Sequence, residues 1–238
     1  MTTTRITRRA ALAAGLALAL PRPARADAKK VRIAMVGDST MASYPNPPKD
    51  RPDLTGWGQV FGTFFTDRVE VLNHAASGRS TKSFIAEKRW AKVLDAKPDY
   101  VFVQFGHNDQ KDKDLAPEEG FREFLIRYVE EARKAGIKPV LVTPVARRTF
   151  QGGKASTTLT PFADAIQKVA KDKGVPVIDL HKLSLALYDQ LGDAGSADFS
   201  PSAADRTHFS KKGATAVAGL VAKALPAAVP ELKEFLKA

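Results

Sequence analysis

Apolar positions in this chain fall into two alternating patterns. Short unbroken runs at residues 31–37, 69–73, 99–105, 138–145 and 175–179 are rich in Val, Ile, Leu and Phe, and each has the length of a buried strand. Between them lie longer stretches in which apolar residues recur every three or four positions. This spacing predicts helices over 57–68, through about 95 after the small residues of 74–80, and over 117–135, 160–173, 181–191 and 211–225. Along 117–135, Phe121, Phe124, Leu125, Tyr128 and Val129 form one core-facing stripe, and Gly136 supplies the stop. Strands alternating with helices predict a parallel sheet covered on both faces, in one α/β domain with no internal repeat or linker. Pro45, Pro47, Pro48 and Pro52 keep 43–55 out of regular structure, Gly152-Gly153 marks a polar loop, and 192–206 reads as another loop.

The first 26 residues follow a different pattern, that of an export signal. Thr7-Arg8-Arg9 precedes an apolar stretch at 10–20, and Ala24-Arg25-Ala26 has the small-x-small form of a cleavage site, placing the mature start near Asp27. The paired arginines are similar to a twin-arginine signal, with the general secretory route as the alternative. The apolar stretch is too short to span a bilayer, so no stable membrane insertion is expected. The leader carries five arginines and no acid, and its removal lowers the net charge from +11 to +6. That excess is compatible with an acidic polymer or an anionic surface. No basic run is interleaved with aromatics as in a nucleic-acid groove, and no nucleic-acid partner is expected. Cysteine is absent, which excludes disulfides and thiolate metal sites and leaves stability to the core.

Candidate chemistry collects at the carboxyl ends of the predicted strands, where ligands bind in open α/β sheets. Gly37-Asp38-Ser39 follows the first strand and, read alone, is an ordinary strand-to-loop turn. Asp205-Arg206-Thr207-His208 lies just before the last helix. A carboxylate three residues ahead of an imidazole can reach its Nδ1–H, holding the tautomer whose Nε2 accepts a proton; the same pattern also serves as a surface pair or a cap. The order Ser…Asp…His, with the serine just after a strand, is a recurring arrangement for acyl transfer and makes Ser39 the candidate nucleophile. Such chemistry needs donors for a developing oxyanion. Gly78, after the second strand, would let a backbone N–H approach a substrate, and Asn108 in Phe105-Gly106-His107-Asn108-Asp109 offers an amide. Each also reads singly as a turn glycine or a capping asparagine. His74 and His107 read as structural, His107 fixing its loop by hydrogen bonding, and His181 as a local cap. No His-x-x-x-His or carboxylate cluster points to a metal, so neither metal nor cofactor is expected.

Taken together, these blocks resemble the SGNH (GDSL-like) hydrolase superfamily: a Gly-Asp-Ser, a glycine after the second strand, a Gly-x-Asn-Asp and an Asp-x-x-His, in that order, over essentially all of residues 27–238. The resemblance implies a flavodoxin-like three-layer α/β/α sandwich with a five-stranded parallel sheet in the order 2-1-3-4-5. It also implies Ser39 as nucleophile, His208 as base, Asp205 as its orienting partner, and an oxyanion hole from the Ser39 N–H, Gly78 and Asn108. Finer features are similar to the rhamnogalacturonan acetylesterase branch: Gly37-Asp38-Ser39-Thr40-Met41-Ala42, Gly56-Trp57-Gly58, Gly78-Arg79-Ser80, Phe105 to Asp109, and Thr143-Pro144-Val145-Ala146-Arg147-Arg148. The chain departs from that branch at Ala146, where a proline often precedes the paired arginines. The implied activity is an exported serine esterase that removes O-acetyl groups from an acetylated polysaccharide or oligosaccharide. Arg79, Arg147 and Arg148, following the second and fourth strands, are candidate contacts to a sugar carboxylate. The alternatives are another SGNH esterase such as a thioesterase, lipase-like hydrolase or xylan acetylesterase, and, outside enzymes, a carbohydrate-binding module; ester turnover separates the last from the rest.

Overall fold

The five apolar runs pair into one parallel sheet in the computed structural model, which describes residues 1–2 and 30–237. The reading of an export signal over residues 1–26 therefore lies, past the second residue, outside the described residues. The sheet strands are β1 (Val31–Gly37), β2 (Val69–Asn73), β3 (Tyr100–Gln104), β4 (Lys138–Val142) and β7 (Val177–Ile178), in the order β2-β1-β3-β4-β7. This is the expected 2-1-3-4-5 order, with a small hairpin added between the last two strands in the chain. That hairpin, β5 (Thr149–Gln151) and β6 (Lys154–Ser156), occupies the stretch expected to be a plain loop. Gly152 and Gly153 both take positive φ, 57° and 77°, at its two-residue turn, which is the backbone such a tight reversal requires.

Strand side chains alternate between two cores. Ile33, Met35, Phe102, Val140 and Val142 pack on one face against Trp57 and Phe61 of α1 (Trp57–Phe61) and Val217, Val221 and Leu225 of α7 (Lys211–Ala228). Ala34, Val36, Val101, Val103 and Leu141 face α2 (Thr81–Ala86), α3 (Arg89–Asp95), α4 (Gly120–Lys134) and α5 (Thr160–Lys173). These two helical layers around the sheet make the α/β/α sandwich. The remaining helix, α6 (Leu180–Gly195), is kinked at Gly192 and packs Tyr188 and Leu185 against Phe150 and Ala155 of the hairpin.

Several helices differ from the periodicity reading, and α6 runs on to Gly195, past the 191 expected and into the stretch read as a loop. The helix expected over 57–68 keeps its α-helical form only to Phe61 and tightens into a 3₁₀ turn, Gly62–Phe64. The helix expected to reach 95 is broken at Lys88, whose φ of 57° makes a corner between α2 and α3. The last helix continues to Ala228 with Pro226 inside it, where the proline removes the N–H that would donate to the Ala222 carbonyl one turn earlier.

Candidate active site

Ser39 stands on a turn that the end of β1 folds tightly. A Cβ on Gly37 would lie 2.7 Å from the Gln104 carbonyl oxygen, so only glycine lets β1 and β3 run together to this point. The Asp38 carbonyl accepts from the N–H groups of Met41 and Ala42 at 3.2 and 3.0 Å. Its buried carboxylate Oδ1 accepts from the Thr40 N–H at 2.9 Å and the Thr40 hydroxyl at 2.8 Å. Beneath the turn, Gln104 Nε2 donates to Thr40 Oγ1 at 2.9 Å and Trp57 Nε1 donates to Gln104 Oε1 at 2.8 Å. A fully buried polar chain thus joins α1 and β3 to the nucleophile turn. Burial pushes the Asp38 carboxyl up, but the charge of His107 and the Thr40 donors outweigh it and hold it below the usual range. His107 Nδ1 lies 3.3 Å from Asp38 Oδ2, outside hydrogen-bond angles, and both ring nitrogens lack a hydrogen-bond partner among the described residues. Contrary to expectation, the His107 ring therefore does not fix its loop by hydrogen bonding and instead packs against the Asp38 carboxylate.

The described geometry assembles Ser39, His208 and Asp205, whose serine and histidine are 169 positions apart in sequence. The Ser39 hydroxyl lies 2.9 Å from His208 Nε2, and His208 Nδ1 lies 2.9 Å from Asp205 Oδ2. An ionised carboxylate only accepts, so it takes the Nδ1–H, and Nε2 is left to accept from the serine. Asp205 Oδ1 also accepts from the backbone N–H groups of Thr207 and His208 at 3.0 and 2.9 Å, which fixes the loop before α7 as a turn on its own side chain. Burial pushes the Asp205 carboxyl up, but these N–H donors and the His208 ring overcome it and hold it down at about 2.

The oxyanion candidates flank Ser39 on the loops after β2 and β3, the two neighbours of β1 in the sheet. Gly78 has φ of 79°, and a Cβ there would meet nothing within 4 Å, so the backbone conformation, not crowding, requires glycine. Asn108 Nδ2 donates to the Arg79 carbonyl at 3.0 Å, which ties the two loops and spends one of its two amide hydrogens. Asp109 makes a second tie: it accepts from the Thr81 N–H at 2.8 Å, the Thr81 hydroxyl at 2.6 Å and the Gly106 N–H at 3.0 Å. Burial pushes its carboxyl up to about 6, with the Thr81 donors pulling the other way.

The three arginines separate. Arg79 Nε lies 3.0 Å from Glu87 Oε2, and Arg148 is buried and bound to Ser200, at 2.9 Å, and to Asp193. Arg148 and Arg206 share the Asp193 carboxylate, a clasp that joins the post-β4 segment, α6 and the His208 loop. These partners engage the Arg79 and Arg148 guanidinium groups within the fold. Arg147 alone of the three makes no ion pair among the described residues; its Nε donates to Thr207 Oγ1 at 3.0 Å, next to His208. His181 is no cap: Asp179 caps α6, while the buried His181 ring lies 3.1 Å from the Pro144 carbonyl and 3.3 Å from the Thr160 hydroxyl.

The sequence reading missed the residues that support the triad from outside its motifs. Gln104 carried a signal, as a polar residue within the apolar run 99–105. Arg51 carried none: its Nη1 lies 3.1 Å from Asp205 Oδ2 across 154 positions. Among the described residues, no group of three or more His, Asp or Glu could hold a metal ion, and no helix is long and apolar enough to cross a membrane.

The profile of the GDSL-like Lipase/Acylhydrolase family matches residues 35–216, from β1 into α7. A rhamnogalacturonan acetylesterase of Bacillus subtilis (strain 168) is 39% identical over 87% of this chain and 95% of its own length. A probable rhamnogalacturonan acetylesterase of the same strain is 35% identical over 81% of this chain and 91% of its own length. Among solved structures, the Bacillus subtilis protein YXIM superposes with a TM-score of 0.72 at 27% identity, covering 87% of this chain and 57% of that longer one.

Proposed function

This chain belongs to the GDSL-like Lipase/Acylhydrolase family, and from that membership we propose that it is an exported serine esterase removing O-acetyl groups from polysaccharide of the rhamnogalacturonan type. The observation that carries the chemistry is the Ser39–His208–Asp205 relay at the carboxyl edge of the sheet. Ser39 Oγ attacks the acetyl carbonyl carbon while its proton passes to His208 Nε2. The negative charge that develops on the carbonyl oxygen is taken by the N–H groups of Ser39 and Gly78 and the second amide hydrogen of Asn108. His208 then returns its proton to the departing sugar oxygen, leaving an acetyl-serine. Water, deprotonated by the same nitrogen, attacks that ester, and acetate leaves as the serine recovers its proton.

The curated relatives support the polysaccharide substrate, and Arg147 supports its acidic character. An arginine half-buried beside the triad, with no carboxylate partner among the described residues, offers paired donors to a uronate. Acetate release from acetylated rhamnogalacturonan, xylan and peptidoglycan tests the assignment, with the Ser39→Ala variant as control. Release is expected to be fastest from the rhamnogalacturonan and absent from the variant. Faster release from xylan would overturn the substrate, and turnover confined to acyl thioesters or long-chain esters would move the enzyme elsewhere in the family. An organophosphonate is expected to label Ser39 alone. Losses in Ser39→Ala and His208→Ala are expected not to multiply in the double variant, since the two act as one unit. Cleavage near Ala26, read by N-terminal sequencing of the exported protein, checks the route out of the cell.

A further inference from the structure

The segment between β1 and α1 is stitched to the segment that carries Asp205 and His208. The Thr55 N–H donates to the Phe209 carbonyl at 2.8 Å, in an isolated antiparallel bridge immediately after His208. Asp53 Oδ2 accepts from the Lys211 N–H at 3.2 Å. Arg51 Nη1 completes the set on Asp205 Oδ2 at 3.1 Å. At its other end, the same segment places the Tyr44 hydroxyl 2.7 Å from the Ser39 carbonyl.

The main chain at Arg51 is held in a turn, and its side chain is 28% exposed. Its N–H donates to the Pro48 carbonyl at 2.9 Å, its own carbonyl accepts from Leu54 at 3.1 Å, and Leu54 is buried. Asp50 Oδ2 also lies 3.5 Å from the guanidinium Nε. Prolines in this segment further limit the conformations from which that turn must be selected.

The consequence falls on Asp205. Its Oδ1 is held by two backbone N–H groups, but its Oδ2, the nearer oxygen to His208 Nδ1 at 2.9 Å, has no backbone donor among the described residues. Arg51 is the group that holds that oxygen. We propose that Arg51 is a positioning residue for catalysis: it fixes the outer oxygen of Asp205, and through it the His208 ring plane, so that Nε2 stays aimed at Ser39. The proposal rests on the triad reading above. A charge-assisted donor at this distance suits the task, since misplacement of a reacting group by about 1 Å can cost on the order of 10²-fold in rate.

The test uses the full chain and a small neutral acetate ester, which needs no polymer contacts. Arg51→Gln is expected to lower kcat by about 10- to 100-fold with KM little changed and the melting temperature close to that of the unaltered protein. Arg51→Lys, which keeps the charge and a donor, is expected to recover part of the loss. In an Asp205→Asn background the Arg51→Gln change is expected to cost almost nothing more, because Arg51 acts through that carboxylate. Unchanged kcat in Arg51→Gln, a loss that appears in KM, a Lys variant as impaired as Gln, or losses that multiply with Asp205→Asn would each overturn the proposal. Full activity in Ser39→Ala would instead remove the triad reading beneath it, so the two failures are distinct.

Discussion

Asn108 divides its side chain between holding a loop and facing a substrate. One amide hydrogen goes to the Arg79 carbonyl at 3.0 Å and Oδ1 accepts from Lys111 at 3.0 Å, so the amide plane is fixed before any ester arrives. A donor fixed in advance needs no reorganisation as charge develops. Asn108→Ala is expected to reduce kcat by about 10²–10³-fold, with a smaller effect on KM, in steady-state kinetics on a small acetate ester. A change confined to KM would make Asn108 a binding residue. Neighbouring arginines illustrate how little residue type alone decides. Arg148 is 4% exposed and bound to Asp193 and Ser200, whereas Arg147 is half-buried and makes no ion pair among the described residues. Arg148→Gln is therefore expected to lower the melting temperature with little effect on KM for a neutral ester. Arg147→Gln is expected to leave the melting temperature nearly unchanged.

At the scale of elements, the nucleophile turn depends on how closely α1 approaches it. A Cβ on Gly56 would fall 2.0 Å from the Ala42 carbonyl oxygen and 2.7 Å from the Met41 carbonyl carbon, both backbone atoms that cannot swing aside. Gly56→Ala must therefore push α1 away from the turn and strain the chain from Trp57 through Gln104 to Thr40. Overpacking of this kind costs about 1–3 kcal/mol. The expected result is a melting temperature lower by several degrees together with reduced kcat, measured by thermal unfolding and the small-ester assay. An unchanged melting temperature would mean that the segment after β1 yields freely, contrary to its bridge at Thr55 to Phe209.

For the molecule as a whole, two active-site carboxylates give opposite pH dependence. Asp205, held down at about 2 against an ordinary 3.8, adds stability that is present above pH 3.8 and lost as pH falls through about 2. Asp109, pushed up to about 6 from 3.8, binds its proton more tightly in the folded chain. Its contribution is present below pH 3.8 and is lost as pH rises through about 6. Urea midpoints across this range are expected to decline more gently in Asp109→Asn than in the unaltered protein. The slope is the decisive readout, because asparagine also removes the acceptor for the Gly106 N–H at 3.0 Å and lowers stability at every pH. The net charge enters through the polymer. Arg147→Gln is expected to lower kcat/KM on an acetylated uronic-acid polymer, and salt to weaken that reaction more than the small-ester reaction, since exposed charge pairs are screened over about 8–10 Å. Equal effects on both substrates would favour a neutral sugar.

The chain by itself determined the sheet and the identity of the chemical groups. Unbroken apolar runs can only be buried strands when helical stretches separate them, and the order of the Gly-Asp-Ser, Asn-Asp and Asp-x-x-His blocks matched strand ends to reacting groups. Local breaks were less legible. The corner at Lys88 adopts a left-handed φ of 57° in a lysine, and the 3₁₀ turn after Phe61 interrupts a continuous apolar pattern. Periodicity reports which face is apolar and is blind to such backbone choices. Only the tertiary structure decided which of three arginines keeps a guanidinium without a carboxylate partner among the described residues. It alone paired Arg51 with Asp205, Gln104 with Thr40 and Trp57, and Asp109 with Thr81. The physical reason is range. Strand and helix patterns arise from neighbours a few positions apart, whereas hydrogen bonds to charged groups depend on segments 28 to 154 positions away that meet only when the sheet has closed.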